Sequence, residues 1–252
     1  MEKTSYRQGE FCWADLATTD VARAKDFYSK LFGWSLVDMP AGPDMIYTMA
    51  QIDGKEVAAM SAMGPEQAGM PPHWNVYVAV DNVDASAERA KGLGGSVMMP
   101  PFDVFDAGRM AIVGDPAGAF LCLWQGKAHP GARRFAESGA LCWCELITPD
   151  VDKASSFYSG LLGWSIKPSP EYTEFHLGQQ EIGGMMKPDP SWGPVPPHWG
   201  IYFQVNDVDA VAAQAQQLGG QVVVPPTAVP TRGRFASLAD PAGAHFSVYA
   251  EG

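Results

Sequence analysis

The sequence has no run of eighteen consecutive apolar residues, so no segment reads as a membrane-spanning helix. Its first ten residues, Met1 to Glu10, are polar and carry no apolar stretch of the secretory kind. Basic residues are few: 17 Lys and Arg stand against 28 Asp and Glu, a formal net charge of −11. That balance repels phosphate backbones and anionic headgroups, which excludes nucleic-acid and membrane partners. A cytoplasmic protein with a small-molecule ligand is expected. Only four cysteines occur, Cys12, Cys122, Cys142 and Cys144, all within apolar runs. Cys142 and Cys144 lie two residues apart in one strand, whereas zinc motifs space paired cysteines on a turn. Buried free thiols are the expectation.

What the chain does contain is repetition. Residues 11–36 realign with 141–166 at an offset of 130, with 14 of 26 positions identical. Residues 71–125 realign without a gap with 196–250 at an offset of 125, with 26 of 55 identical. The changed offset places a five-residue deletion between Trp164 and Glu181, opposite the looser stretch Asp38 to Asp44. Between the copies, 126–139 is rich in Gly, Ala and charge and has no apolar alternation, which marks a linker. Domains at 1–125 and 140–252 follow.

Each copy divides again. In the first, the strand-like FCWADLAT is followed by Asp20 as a helix cap. Val21, Ala24, Phe27, Tyr28 and Leu31 then share one helical face, and Gly33 ends the helix. Strands are expected at 34–38, 45–51 and 56–63. The second half repeats the order with a strand at 74–80, a helix over 84–93, and strands near 96–99, 109–113 and 119–125. The turn Asp115-Pro116-Ala117-Gly118 joins the last two. The fold class is therefore α+β: two tandem domains, each of two βαβββ modules forming an eight-stranded cupped mixed sheet.

The motif D-x-x-x-A-x-x-FY-x-x-L-x-GW in each first module, with V-x-x-V-D-A, L-GG and D-PAGA in each second module, resembles the vicinal oxygen chelate superfamily. That superfamily includes glyoxalase I, extradiol dioxygenases, fosfomycin-resistance enzymes and bleomycin-binding proteins. The chain looks most like its tandem-domain, glyoxalase-like bacterial members of the mycobacterial antigen type. The resemblance implies a cavity in each cupped sheet and a divalent metal held by side chains of three strands. The corresponding positions here are Trp13, Asn75 and Cys122 in the first domain and Trp143, Gly200 and Ser247 in the second. These do not form the hard oxygen set that magnesium, manganese or iron prefers. No metal and no cofactor are therefore expected.

By strand parity, the inward set of the first domain is Phe11, Trp13, Asp15, His73, Asn75, Tyr77, Phe120, Cys122 and Trp124. That of the second is Trp143, Glu145, His198, Tyr202, His245, Ser247 and Tyr249. Such a lining suits a flat organic ligand. Asp15 and Glu145 are equivalent; each could pair with a cation or act as a base, or sit at the rim bonded to Arg109 or Arg234. The two arginines could instead grip an anionic ligand, or form structural salt bridges. His73 and His198, in identical PPHW segments, read first as turn histidines bonded to backbone. Glu145, His198 and His245 have the composition of a two-histidine, one-carboxylate site and are the candidate catalytic set.

Three functions compete. The first is a metal-free protein binding a small aromatic or hydrophobic molecule. The second is a lyase, isomerase or dioxygenase of glyoxalase type, using an unusual Fe, Mn, Ni or Zn site or a general base in the second domain. The third is an interaction protein whose cups are filled by side chains. Tandem duplication makes a monomer reasonable, with a homodimer as the other option.

Overall fold

In each module a strand passes to a helix through a capping side chain. The computed structural model describes residues 2–42, 45–170 and 172–252. Strand β1 (Phe11–Thr18) leads to α1 (Val21–Phe32), where Asp20 accepts from the Arg23 amide, satisfying an N–H that the first helical turn leaves open. Gly33, left-handed at φ 71°, stops the helix. Strands β2 (Ser35–Pro40), β3 (Ile46–Ile52) and β4 (Lys55–Ala62) complete the module. The second follows as β5 (His73–Ala79), α2 (Val83–Gly92), β6 (Ser96–Val104), β7 (Gly108–Gly114) and β8 (Phe120–Gly126).

The second half repeats this order. Its first module is β9 (Leu141–Ile147), α3 (Val151–Leu162), β10 (Ser165–Pro168), β11 (Thr173–Leu177) and β12 (Gln180–Met186). Its second is β13 (His198–Gln204), α4 (Val208–Gln217), β14 (Gln221–Val229), β15 (Gly233–Ala239) and β16 (His245–Glu251). The five-residue deletion shortens the β10–β11 hairpin. Pro43 and Asp44, in the stretch expected to be loose, lie outside the described residues, as does Glu171 opposite them.

Each half forms one open eight-stranded sheet, ordered β2-β3-β4-β1-β5-β8-β7-β6 and β10-β11-β12-β9-β13-β16-β15-β14. The first strands of paired modules, β1 with β5 and β9 with β13, run antiparallel at the centre. Both pair in parallel on their other side, so the sheets are mixed.

Two details depart from the sequence reading. β6 runs on through Pro100-Pro101 to Val104, beyond the expected stop near 99. It is an edge strand with register shifts on either side of Met99, and a proline lacking an N–H is tolerated there. In β1, a register shift between Phe11 and Trp13 reverses the alternation. Phe11 therefore leaves the cup and packs between Trp164 and Trp199 of the other half, at ring-centroid distances of 5.2 and 5.4 Å.

The two sheets meet through their convex, helix-bearing faces. Trp74, Val76 and Val78 of β5 and Trp199, Ile201 and Phe203 of β13 share one buried cluster. Within it, the helix motif FY and the turn motif D-PAGA find their use together. Oδ1 of Asp115 accepts amides from 117 to 119 of its own turn, while Oδ2 accepts the hydroxyl of Tyr158 at 3.1 Å. Asp240 does the same with Tyr28 at 3.2 Å. Trp74 and Trp199 in turn donate to the Tyr28 and Tyr158 hydroxyls at 3.1 and 3.0 Å. Each half thus ties the other's turn to its own helix.

Replacing Tyr28 by Phe removes one of these reciprocal bonds and leaves the Trp74 indole N–H without its acceptor. Equilibrium urea unfolding should show a loss of about 1–3 kcal/mol, the usual cost of an orphaned buried polar group. An unchanged midpoint would show that the halves do not depend on the bond.

Candidate functional site

With the convex faces together, the two concave faces point outward, and each holds the same chain of side chains. In the first cup, Trp13 of β1 donates through Nε1 to the Tyr47 hydroxyl at 2.9 Å. Tyr47 donates to Asp15 Oδ2 at 2.8 Å, Tyr77 donates to the same oxygen at 2.8 Å, and Asn75 Nδ2 donates to Oδ1 at 2.8 Å. The register explains the convergence: Asp15 lies opposite Asn75 on β5 and beside Ala59 on β4, and Trp13 lies opposite Tyr77. Burial raises the Asp15 carboxyl above its ordinary range; the three donors oppose that shift. Trp13, Tyr77, Cys122 and Trp124 are all 7% exposed or less, while Asn75 is partly exposed, so the aromatic part of this cup is shielded from solvent. Burial also pushes the Cys122 thiol well up, which makes it a poor nucleophile.

The second cup repeats the arrangement with Trp143, Tyr172, Glu145 and Tyr202. Trp143 Nε1 donates to the Tyr172 hydroxyl at 3.0 Å, and Tyr202 donates to Glu145 Oε2 at 2.9 Å. Tyr172 lies close enough to Glu145 to favour its ionised form. Burial again raises the carboxyl, against the pull of both phenols. Gly184 and Gly200 flank Glu145 on the neighbouring strands. Gly184 must be bare, because a Cβ there would collide with the Tyr172 ring. A Cβ at Gly200 would meet only the Glu145 carbonyl oxygen at 3.7 Å, so space lies above it. Trp143, Glu145, Tyr202 and Tyr249 are all partly exposed, in contrast to their equivalents in the first cup.

The remaining candidates are placed as follows. Ser247 is buried beside Tyr202, its Oγ 2.9 Å from that of Ser237. His73 and His198 each donate through Nδ1 to the carbonyl two residues back, Pro71 and Pro196, at 2.9 Å. His245 stands exposed at the start of β16; burial, then proximity to His198, lowers its pKa. The pairing of Tyr202 with Ser247 sets His245 level with Gly200, in the same cross-strand row as Glu145.

Both arginines form structural salt bridges, and neither bonds the inward carboxylates. Arg109 pairs with Asp84 at 2.8 and 2.9 Å and Arg234 with Asp209 at 2.7 and 2.9 Å, anchoring β7 and β15 to the first turns of α2 and α4. They sit on the convex side, one residue out of phase with Met110 and Phe235, so neither reaches Asp15 or Glu145. Tyrosines, with Asn75 in the first cup, take that place. Tyr47 and Tyr172 were absent from the candidate set. They are related by the offset of 125, and extending that alignment back through the shared Tyr-Thr pair at 47–48 and 172–173 would have found them.

The second cup is also clasped from its flanks. Arg232, at the β14–β15 turn, pairs with Glu174 on β11 and Glu181 on β12, and Tyr249 donates to its carbonyl at 2.7 Å. These strands belong to opposite arms of the sheet, so the ion pairs bridge the mouth. Among the described residues, no group of three or more His, Cys, Asp and Glu side chains is placed to hold a metal ion. Also among them, no helix is long and apolar enough to cross a membrane.

Comparison with known proteins agrees with this architecture. A family profile described as "Glyoxalase/Bleomycin resistance protein/Dioxygenase superfamily" matches residues 11–123 and again 140–248. The chain belongs to that superfamily. A Mycobacterium bovis protein named "Putative glyoxylase CFP32" is 47% identical over 98% of this chain and 97% of its own length. The "Anthracycline biosynthesis protein DnrV" of Streptomyces peucetius is 38% identical over 97% of this chain and 94% of its own. Among solved structures, an Mn(II)-bound glyoxalase from Novosphingobium aromaticivorans superimposes with a TM-score of 0.68 at 16% identity, over 97% of this chain and 83% of that one. The 2,3-dioxygenase LapB of Pseudomonas sp. KL28 does so at 0.67 and 14%, over 98% and 94%. These last two share the fold.

Because the folded Asp15 carboxyl binds its proton more tightly than an unfolded one, its contribution is fully present below the unfolded value of about 4. It is lost as pH rises through the raised folded value. In thermal unfolding at a series of pH values, the stability of the wild type relative to Asp15→Asn should therefore fall from pH about 4 upward. A difference that stays constant with pH would contradict the assignment.

Proposed function

We propose that the protein binds a small aromatic or hydrophobic molecule in its second cup, and that the superfamily's usual metal ligands have been replaced in both cups. The observation that carries this reading is the partly exposed wall of Trp143, Tyr202 and Tyr249 around the Glu145 carboxyl, with the bare backbone of Gly200 beside it. A flat ring stacks on such a wall, and Glu145 with its two phenols offers hydrogen bonds to a carbonyl or hydroxyl on that ring. The positions that would hold a metal carry an indole, an amide and a thiol in one half and an indole, no side chain and a hydroxyl in the other. That donor set does not fit a hard divalent cation. The Streptomyces relative is named for the biosynthesis of anthracyclines, compounds built on fused aromatic rings.

A second reading, catalysis of glyoxalase type, is favoured by one feature. Burial raises the Glu145 carboxyl above its ordinary range, as suits an acid–base group, and His245 shares its row. In that case Glu145 is the acid–base group and no metal is required.

Titration with a hydroxylated anthraquinone should quench tryptophan fluorescence saturably in the wild type. Gly200→Phe, whose Cβ makes only an ordinary van der Waals contact with the Glu145 carbonyl oxygen, should weaken binding about tenfold or more, a change of roughly 1.4 kcal/mol. Equal affinity in the two proteins would refute the site. Turnover of an α-keto aldehyde conjugate or a catechol that disappears in Glu145→Gln would replace the binding reading by the catalytic one.

A further inference from the structure

The segment between the domains does not behave as a tether. After β8 it folds back over the first cup: the amides of Lys127 and His129 donate to the Ala107 carbonyl at 2.9 and 3.0 Å. The amide of Ala132 donates to the Cys12 carbonyl, and that of Arg133 to the Glu56 carbonyl, both at 2.7 Å. It crosses from the β6–β7 turn to β4, the gap that Arg232 bridges with ion pairs in the second half. Gly131, at φ 131°, lies so close to Cys12 that a Cβ would strike its carbonyl oxygen. The Tyr6 hydroxyl holds the segment from outside, donating to the Ala132 carbonyl at 2.6 Å.

What this brings into the cup is a ring. The His129 imidazole stands edge-on to Trp13, centroids 4.6 Å apart and planes at 84°, and 6.0 Å from Trp124. Trp124 Nε1 donates to the His129 carbonyl at 2.9 Å. The imidazole Nε2 is buried without a hydrogen-bond partner, and burial lowers the ring's pKa, so it sits there as a neutral heteroaromatic. In the second half, Trp143 and Tyr249 occupy the equivalent positions and are partly exposed.

We infer that residues 127–134 are a built-in ligand surrogate that permanently fills the first cup. The second cup is then the one of the two left to a small molecule, and its ligand is a neutral planar ring seated between Trp143 and Tyr249 as His129 is seated between Trp13 and Trp124. The ligand half of this inference rests on the binding function proposed above; the surrogate half stands on the contacts of His129 alone.

The test uses full-length protein labelled with 5-fluorotryptophan, its resonances assigned by single Trp→Phe replacements, with phenol as the probe. In the wild type, phenol should shift the Trp143 resonance and leave Trp13 and Trp124 unmoved. In His129→Ala, Trp13 should respond as well, and imidazole added first should suppress that response. His129→Phe, which keeps a ring in place, should leave Trp13 silent and serves if the alanine variant does not fold. Equal response of Trp13 and Trp143 in the wild type would overturn the surrogate, as would a silent Trp13 in folded His129→Ala. A silent Trp143 in the wild type, with Trp13 responding in His129→Ala, upholds the surrogate and overturns the binding function of the second cup.

Discussion

The reciprocal bonds between Tyr28 and Asp240 and between Tyr158 and Asp115 set the geometry on which the rest depends. Each aspartate is already committed through one oxygen to the amides of its own turn, so only its second oxygen is free to receive the other half's phenol. Meeting both bonds at once fixes the two convex faces against each other, with Trp74, Trp199 and Phe203 filling the space between. Because those faces are used up in the interface, the concave faces are turned outward. Two separate cups result, each built within one half of the chain.

Duplication gave both cups the same Trp–Tyr–carboxyl–Tyr chain, and the differences around it have sent them in opposite directions. Trp124 and Met110 in the first cup, with the returning segment 127–134, exclude water from Trp13 and Asp15. Tyr249 and Phe235 stand in their places in the second, where Asn75 has become Gly200 and Phe120 has become His245. A carboxyl buried under phenols costs solvation energy in either setting. In the first cup the carboxyl is buried and acts as an internal hydrogen-bond hub; in the second, the same hub is partly exposed, and the binding proposal rests on that difference.

Features governed by local chemistry were legible in the sequence. Asp20 and Asp150 cap the helices as their position before an apolar periodicity requires, and Gly33 and Gly163 end them in the left-handed region. The fourfold βαβββ plan followed from the two offsets. Register decided the rest. Strand parity is only as good as the absence of bulges, and the one before Trp13 moved Phe11 from the cup to the interface. The same parity, applied outward from Met110, would have removed Arg109 from the candidates. Asp15 was visible as an inward carboxylate with Asn75 and Tyr77 on the same face, but Tyr47 was not, because it lies on a strand whose distance from β1 depends on the sheet order. The role of 127–134 was hidden for a different reason: it is irregular backbone with no periodicity, and its packing is dictated by the cup it covers.

The central claim is that one chain carries a closed cup and an open one. A crystal structure of the protein soaked with a hydroxylated anthraquinone tests it most directly. The account predicts ligand density in the second cup, between Trp143 and Tyr249 and within hydrogen-bond distance of Glu145 or its tyrosines, with His129 still seated on Trp13. Ligand in the first cup with residues 127–134 displaced, or a second cup that stays vacant at saturating ligand, would contradict it.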